Sequence, residues 1–213
     1  THPTCGWLKH FTISRTACGL INVLAKAPEL GEQTVGLIGF GDIGQATARL
    51  LRPFGCQLFY YTAHRRPPQV EAEFGITYLP LQELVARCSV LSLHCAVNDQ
   101  TRNMIDAPLL EHVHPGAILV NTARGELIDS MAVRQALLDG RLGGIAMDTL
   151  YPEPTPADHP LVALPPEVAH RAVYSPHLGG NTGGSFARCH RNMWNSVRLI
   201  LEGQRPNYIV NGL

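Results

Sequence analysis

The sequence has no net charge, no paired-cysteine motif and no long apolar run, and each absence closes off a class of function. Lys+Arg and Asp+Glu both number 17, so no field of one sign gathers nucleic acid or an anionic membrane, and neither is expected as a partner. The six cysteines, at positions 5, 18, 56, 88, 95 and 189, include no C-x-x-C pair and no His/Cys cluster at metal-ligand spacing, so no metal is expected. Several sit in apolar runs, as Cys95 does after Val90-Leu91-Ser92-Leu93. There a thiol behaves as a small buried hydrophobe, and a reducing, cytoplasmic compartment follows. No apolar stretch approaches the roughly 20 residues of a membrane helix, and no secretory signal is visible. Internal repeats and low-complexity tracts are missing too. The chain opens at Thr1 without a methionine, as a trimmed piece of a longer protein would.

What is present is an alternation. From Thr34 onward, short β-branched runs alternate with amphipathic stretches, the pattern of a parallel sheet with crossover helices. The strand candidates are 34–39, 57–62, 89–95, 117–121, 144–148 and 172–175, and the helix candidates are 43–51, 81–87, 107–112 and 130–139. The first, third and fourth strand candidates are nearly continuous apolar segments, as strands buried on both faces are. Residues 151–170 hold Pro152, Pro154, Pro156, Pro160, Pro165 and Pro166 and read as an extended surface loop with a functional role. A terminal helix is expected over 183–203, with Phe186, Met193, Trp194, Val197 and Ile200 spaced for one buried face. Residues 1–30 read as an arm or partial helix, and 31–213 as one α/β domain: a Rossmann-like doubly wound parallel sheet with helices on both faces.

The segment Gly39-Phe-Gly41-Asp-Ile-Gly44 places a G-x-G-x-x-G turn directly after a strand and before a helix. In that setting Gly39 makes the tight turn, Gly41 lets the backbone approach a pyrophosphate, and Gly44 permits close helix–sheet packing. The helix N-terminus adds free N–H groups and a positive dipole end. About 20 residues on, where a carboxylate would read the ribose hydroxyls of NAD, stand Thr62, Ala63, His64, Arg65 and Arg66. Neutral Thr62 with Arg65 and Arg66 would attract a 2′-phosphate, which favours NADP(H) over NAD(H).

Three more segments leave the ends of strand candidates: Asn121-Thr-Ala-Arg124-Gly, Asp148-Thr-Leu-Tyr-Pro-Glu153-Pro, and Ser175-Pro-His177-Leu-Gly179-Gly180. In a parallel sheet ligands collect outside the carboxyl ends of the strands, so all three converge on the crevice that the glycine turn faces. With these motifs in this order, the chain resembles the D-isomer-specific 2-hydroxyacid dehydrogenase family from about Gly31 to its C-terminus.

The resemblance implies an oxidoreductase that moves a hydride between NAD(P)H and a small 2-oxo or 2-hydroxy acid, of the glyoxylate/hydroxypyruvate reductase kind. It implies a catalytic set of Arg124, Glu153 and His177. Arg124 would grip the carboxylate and polarise the ketone, His177 would exchange the proton, and Glu153 would hold the imidazole. Asp42 and Ile43 at the helix start, Cys95, Ala96 and Thr101 after the third strand candidate, Thr122 and Ala123 beside Arg124, and Asp148, Gly179 and Gly180 on the nicotinamide side would contact the cofactor. Asp42 replaces the basic residue often found there. Glu153 sets the chain apart from formate dehydrogenases, which place a glutamine at that position. The resemblance further implies a homodimer, with residues 1–30 and the helices near Leu109 and Val133 as interface candidates. It also implies a separate substrate domain not contained in these residues, without which turnover would be poor. Two alternatives stand beside this reading: a dinucleotide-sensing binding module of the same fold, and a dehydrogenase for a different small anion.

Overall fold

Alternate side chains of Thr34–Ile38 (β1) point to opposite faces, and both faces are apolar: Val35 and Leu37 on one, Ile38 on the other. Such a strand is stable only inside a sheet covered on both sides. The computed structural model, which describes residues 28–207 and Ile209, places it there. Six further strands follow among the described residues: Gln57–Tyr61 (β2), Ile76–Tyr78 (β3), Val90–Leu93 (β4), Ala117–Asn121 (β5), Leu142–Met147 (β6) and Ala172–Tyr174 (β7). Their order is β3-β2-β1-β4-β5-β6-β7, and every adjacent pair is parallel. The chain reverses its direction of travel across the sheet between β1 and β4, which opens a crevice at their carboxyl ends.

The connecting helices are Asp42–Leu51 (α1), Pro68–Phe74 (α2), Leu81–Arg87 (α3), Ala107–Leu110 (α4), Ser130–Leu138 (α5) and Pro166–Ala169 (α6), with Gly183–Leu201 (α7) after β7. Val35, Leu37, Leu58 and Tyr60 form one apolar layer with Ala48 of α1 and Phe74 of α2. Ile38, Phe59, Leu91, Leu93 and Leu119 form the larger layer with Leu84 of α3, Leu109 of α4, and Val133 and Leu137 of α5. This is the doubly wound, Rossmann-like α/β architecture expected from the alternation.

Several expectations need correction. The α2 and β3 elements have no counterpart among the candidates: the helix begins at a proline, where the missing N–H costs nothing, and ends on Gly75 at φ +60°. Strand β6 starts at Leu142, ahead of the expected start, because Leu142 pairs with Ala117 of β5, and Gly143 lies against the Gly116 carbonyl with no room for a Cβ. Strand β5 is not buried on both faces, since Ile118 is exposed. The proline-rich segment is not simply an extended surface loop: Leu161 is fully buried, Val168 lies in α6, and both join the larger core. Helix α7 buries none of the apolar residues expected to face a core, and Phe186, Met193, Trp194, Val197 and Ile200 are all exposed. Leu109 and Val133 are core residues, so only the outer faces of α4 and α5, such as the one carrying Met131, remain for a partner. Nearly all of the expected N-terminal arm lies outside the described residues.

Helix α3 packs directly on β1 at Gly36, where a Cβ would stand 2.6 Å from Leu84 Cδ2 and 3.0 Å from Cys88 Sγ. A side chain there must displace the buried Leu84 and Cys88 side chains from a filled core. Gly36→Val is expected to destabilise the fold by about 1–3 kcal/mol, the usual cost of overpacking a filled core. Urea denaturation would measure it, and a midpoint equal to wild type would show that the α3–β1 contact yields freely.

Candidate functional site

After β1 the chain turns at Gly39 with φ +104°, a conformation L side chains rarely adopt, and a Cβ there would stand 2.6 Å from the Cys95 amide. Gly44 is equally constrained, since its Cβ would strike the Gly39 carbonyl. Gly41 is the opposite case. Among the described residues nothing lies within 4 Å of where its Cβ would be, and no side chain caps the first turn of α1. Open space therefore stands beside a positive helix end, which is what a pyrophosphate needs. The glycine turn fits a dinucleotide. Asp42 is exposed in the first turn.

A cavity of about 380 Å³ continues from this turn across the ends of β4 and β5. Six expected residues line it: Ile43, Cys95, Ala96, Thr122, Ala123 and Arg124. His94, Val97 and Glu126 line it as well, and no sequence motif had singled them out. Thr101 is not in the lining. Its hydroxyl donates to the Ala96 carbonyl at 2.7 Å and accepts from the Asn98 amide at 2.8 Å, so it braces the loop from behind. Arg124 owes its place to Asn121, fully buried at the end of β5, whose amide donates to the Arg124 carbonyl (2.9 Å) and accepts from the Ala123 amide (3.0 Å). The next residue, Gly125, touches the Leu150–Tyr151 backbone so closely that a Cβ would collide with it. The turn carrying Arg124 is thereby packed against the segment leading to Glu153.

That segment is pinned from α5. His159, buried, accepts the Leu161 amide on Nδ1 at 3.2 Å, which leaves Nε2 to carry the proton. Nε2 donates to the Tyr151 carbonyl at 3.1 Å, with Ser130 Oγ at 3.3 Å. Burial pushes the His159 pKa down and keeps the ring neutral, as this arrangement requires. Arg134 adds two 2.7 Å bonds to the carbonyls of Pro160 and Ala163, and the Tyr174 hydroxyl donates to the Leu161 carbonyl.

Glu153 Oε2 then meets His177 Nδ1 at 2.9 Å. His177 has φ +53°, the left-handed region that favours glycine, and its amide donates to the Asp148 carbonyl at 2.8 Å. The Asp148 carboxylate holds the same loop: Oδ1 accepts the Ser175 hydroxyl (2.5 Å) and the Leu178 amide (2.9 Å), and Oδ2 accepts the Gly179 amide (3.0 Å). Burial pushes this carboxyl up, but those donors and the neighbouring His177 outweigh it and hold the pKa below the usual value. Asp148 thus ties the end of β6 to the His177 loop. Gly179 gives it room, while Gly180 faces open space. Arg124, Glu153 and His177 stand after β5, β6 and β7, three neighbouring strands. Among the described residues no hydrogen bond joins Arg124 to the pair.

At the ribose end both arginines expected to attract a 2′-phosphate have partners within the chain. Arg65 is held by both oxygens of Glu71, and Arg66 donates to the Phe40 carbonyl through Nε (3.2 Å) and Nη2 (3.0 Å). The Thr62 hydroxyl is spent on the His64 carbonyl. Among the described residues no group of three His, Cys, Asp or Glu side chains is placed to hold a metal, and no helix is long and apolar enough to cross a membrane.

The sequence model of the family described as "D-isomer specific 2-hydroxyacid dehydrogenase, NAD binding domain" matches residues 22–179. The chain belongs to this family. Among curated members, a glyoxylate reductase/hydroxypyruvate reductase of Mus musculus is 35% identical over 72% of this chain and 45% of its own length. A formate dehydrogenase of Pseudomonas is 34% identical over 90% of the chain and 47% of its own length. A solved D-isomer specific 2-hydroxyacid dehydrogenase from Lactobacillus delbrueckii, in an NAD-complexed form, superposes with a TM-score of 0.74 at 31% identity, covering 87% of this chain and 58% of its own. The chain spans about half the length of the family members it matches. The family match ends at Gly179, so it covers the glycine turn, Arg124, Glu153 and His177 and leaves out α7.

His94, in the lining of the cleft, bonds Ser92 Oγ through Nε2 at 3.0 Å, while its buried Nδ1 has no hydrogen-bond partner among the described residues. Burial pushes its pKa down from 6.5 to about 4. The unfolded chain therefore binds this proton before the folded chain does. Its contribution to stability is complete above pH 6.5, declines as pH falls, and is gone below about 4. Urea melts across this range should show the wild type losing up to about 3 kcal/mol more than His94→Gln. Parallel stability profiles for the two proteins would show that His94 titrates normally.

Proposed function

We propose that the chain is the coenzyme-binding half of an NAD(P)H-dependent enzyme that interconverts small 2-oxo acids and D-2-hydroxy acids, of the glyoxylate and hydroxypyruvate reductase kind. The observation that carries this reading is the 2.9 Å pair of His177 Nδ1 and Glu153 Oε2 after the adjoining strands β7 and β6, next in the sheet to β5, which carries Arg124. With Nδ1–H given to the carboxylate, Nε2 is left to donate a proton to a carbonyl oxygen in reduction and to take one from a hydroxyl in oxidation. Glu153 fixes the ring's orientation and stabilises its positive charge while it is the proton donor. Arg124 presents a planar fork of donors that grips the substrate carboxylate and polarises the ketone beside it. A nicotinamide bound in the groove supplies or accepts the hydride. Gly39, Gly41, Ile43 and Gly44 would hold the pyrophosphate end, and Cys95, Ala96, Thr122 and Ala123 the nicotinamide end. Asp148 and Gly179 serve indirectly by shaping the His177 loop.

Formate dehydrogenases match the chain as well as glyoxylate reductases do, so overall similarity does not choose between them. The carboxylate at 153 favours the oxo acid, because hydride transfer from formate to give carbon dioxide needs no proton donor. For the coenzyme, the strand end Thr62–Arg66 carries no fixed negative charge, and the Arg66 guanidinium stands at the glycine turn on the neutral Phe40 carbonyl. This supports acceptance of NADP(H).

In the full-length protein, glyoxylate, hydroxypyruvate or pyruvate should oxidise NADPH or NADH, followed by loss of coenzyme absorbance. His177→Asn should lower kcat by about 10²–10⁴-fold with coenzyme affinity retained, and Arg124→Gln should raise the KM for the oxo acid as well as lower kcat. Coenzyme binding without turnover of any of the three acids would overturn the catalytic reading in favour of a dinucleotide-sensing module.

A further inference from the structure

The loop after β2 contains a charge clamp that the proposed chemistry does not use. The Tyr60 ring is fully buried, and its hydroxyl donates to Glu71 Oε1 at 2.9 Å while accepting the Arg66 amide at 2.8 Å. From the solvent side, Arg65 donates through Nε to Oε1 and through Nη2 to Oε2, each at 2.8 Å. The Glu71 side chain is 13% exposed and that of Arg65 is 58% exposed. The carboxylate is therefore the fixed member and the guanidinium the movable one. The Arg65 hydrogen bonds hold the Glu71 pKa below the ordinary range, so the anion is present at neutral pH. Arg66 turns the other way, to the Phe40 carbonyl in the glycine turn. Of two adjacent cations at the ribose end, one is cancelled and the other keeps its charge.

We propose that Glu71 is a specificity-determining residue for the coenzyme: by holding Arg65 in a two-point ion pair, it withholds that cation from a 2′-phosphate and keeps the ribose pocket open to NADH. The inference rests on the reading that a dinucleotide binds at the glycine turn. A bidentate carboxylate competes with a phosphate for the same planar fork, and Tyr60 prevents the carboxylate from swinging away. The residue lies on α2, nine positions beyond Thr62, so a search of the strand end for an acidic reader of the ribose passes over it.

The test is titration of this chain with NADH and with NADPH, by coenzyme fluorescence at low salt, for wild type, Glu71→Gln, Arg65→Ala and the double variant. Glutamine keeps the side-chain length and an acceptor for Tyr60 but frees Arg65. The ratio Kd(NADPH)/Kd(NADH) is expected to fall about three- to fivefold in Glu71→Gln, the size usual for an exposed charge interaction. The gain should vanish when Arg65→Ala is added. Tyr60→Phe, which removes the hydroxyl fixing Glu71 from below, should shift the ratio the same way by less. An unchanged ratio, or weaker NADPH binding in Glu71→Gln, would overturn the proposal, the second outcome showing that Glu71 orients Arg65 toward the phosphate. Failure of the wild type to bind either coenzyme would instead overturn the proposed function, and this inference with it.

Discussion

Asp148 joins the end of β6 to the loop that follows β7 through a single carboxylate, and the geometry of the site depends on it. A carboxylate this shielded is costly unless donors replace the water it has lost. Here the Ser175 hydroxyl and the Leu178 and Gly179 amides do so, all from the loop that presents His177. The same residue's carbonyl takes the His177 amide. Together these bonds hold a histidine in a left-handed conformation that it would not choose alone.

The partner of His177 arrives by a separate route. Glu153 belongs to a proline-rich segment that contributes little regular structure, so its backbone needs acceptors and donors from elsewhere. The neutral His159 ring, the Arg134 guanidinium and the Tyr174 hydroxyl supply them. Gly125 then lets the turn bearing Arg124 lie directly on the Leu150–Tyr151 backbone. Three strand ends are thus locked to one another by polar contacts, most of them partly buried, and one close backbone approach. The groove beside the glycine turn is built on that frame.

The parts of this arrangement legible in the sequence are those in which a short stretch of chain decides the structure alone. The glycines at 39, 41 and 44 and the apolar strands of the sheet centre follow from local pattern, while Arg124, Glu153 and His177 are singled out as a set by the family resemblance of the segments that carry them. What escaped is set by side chains meeting across the fold. Arg65 and Arg66 read as free cations because nothing nearby in the sequence shows that Glu71 and the Phe40 carbonyl take them up. The grip of Asp148 on the His177 loop does not show in the sequence, because Ser175, Leu178 and Gly179 lie far along the chain from it. The prolines of 151–170 suggest a surface loop because proline statistics ignore the burial of Leu161 and Val168. Helix α7 has a good apolar face by spacing, yet spacing cannot say whether the chain itself supplies something for that face to pack on, and the described residues do not.

Exposure of the His177–Glu153 pair settles the direction of cause. The two side chains are 47% and 44% exposed, so their attraction contributes at most about 1 kcal/mol. An interaction that weak cannot bend two loops into place. The loops, held by Asp148 and His159, must bring the pair together. That order suits the chemistry. In the reaction proposed above, His177 gives up and regains a proton in each cycle and changes the charge of its pair every time, and in a buried pair the carboxylate left behind would cost about 3–5 kcal/mol. Here the pair's alignment is paid for by groups that never change charge, so His177 can lose its proton without loosening the site that positions it.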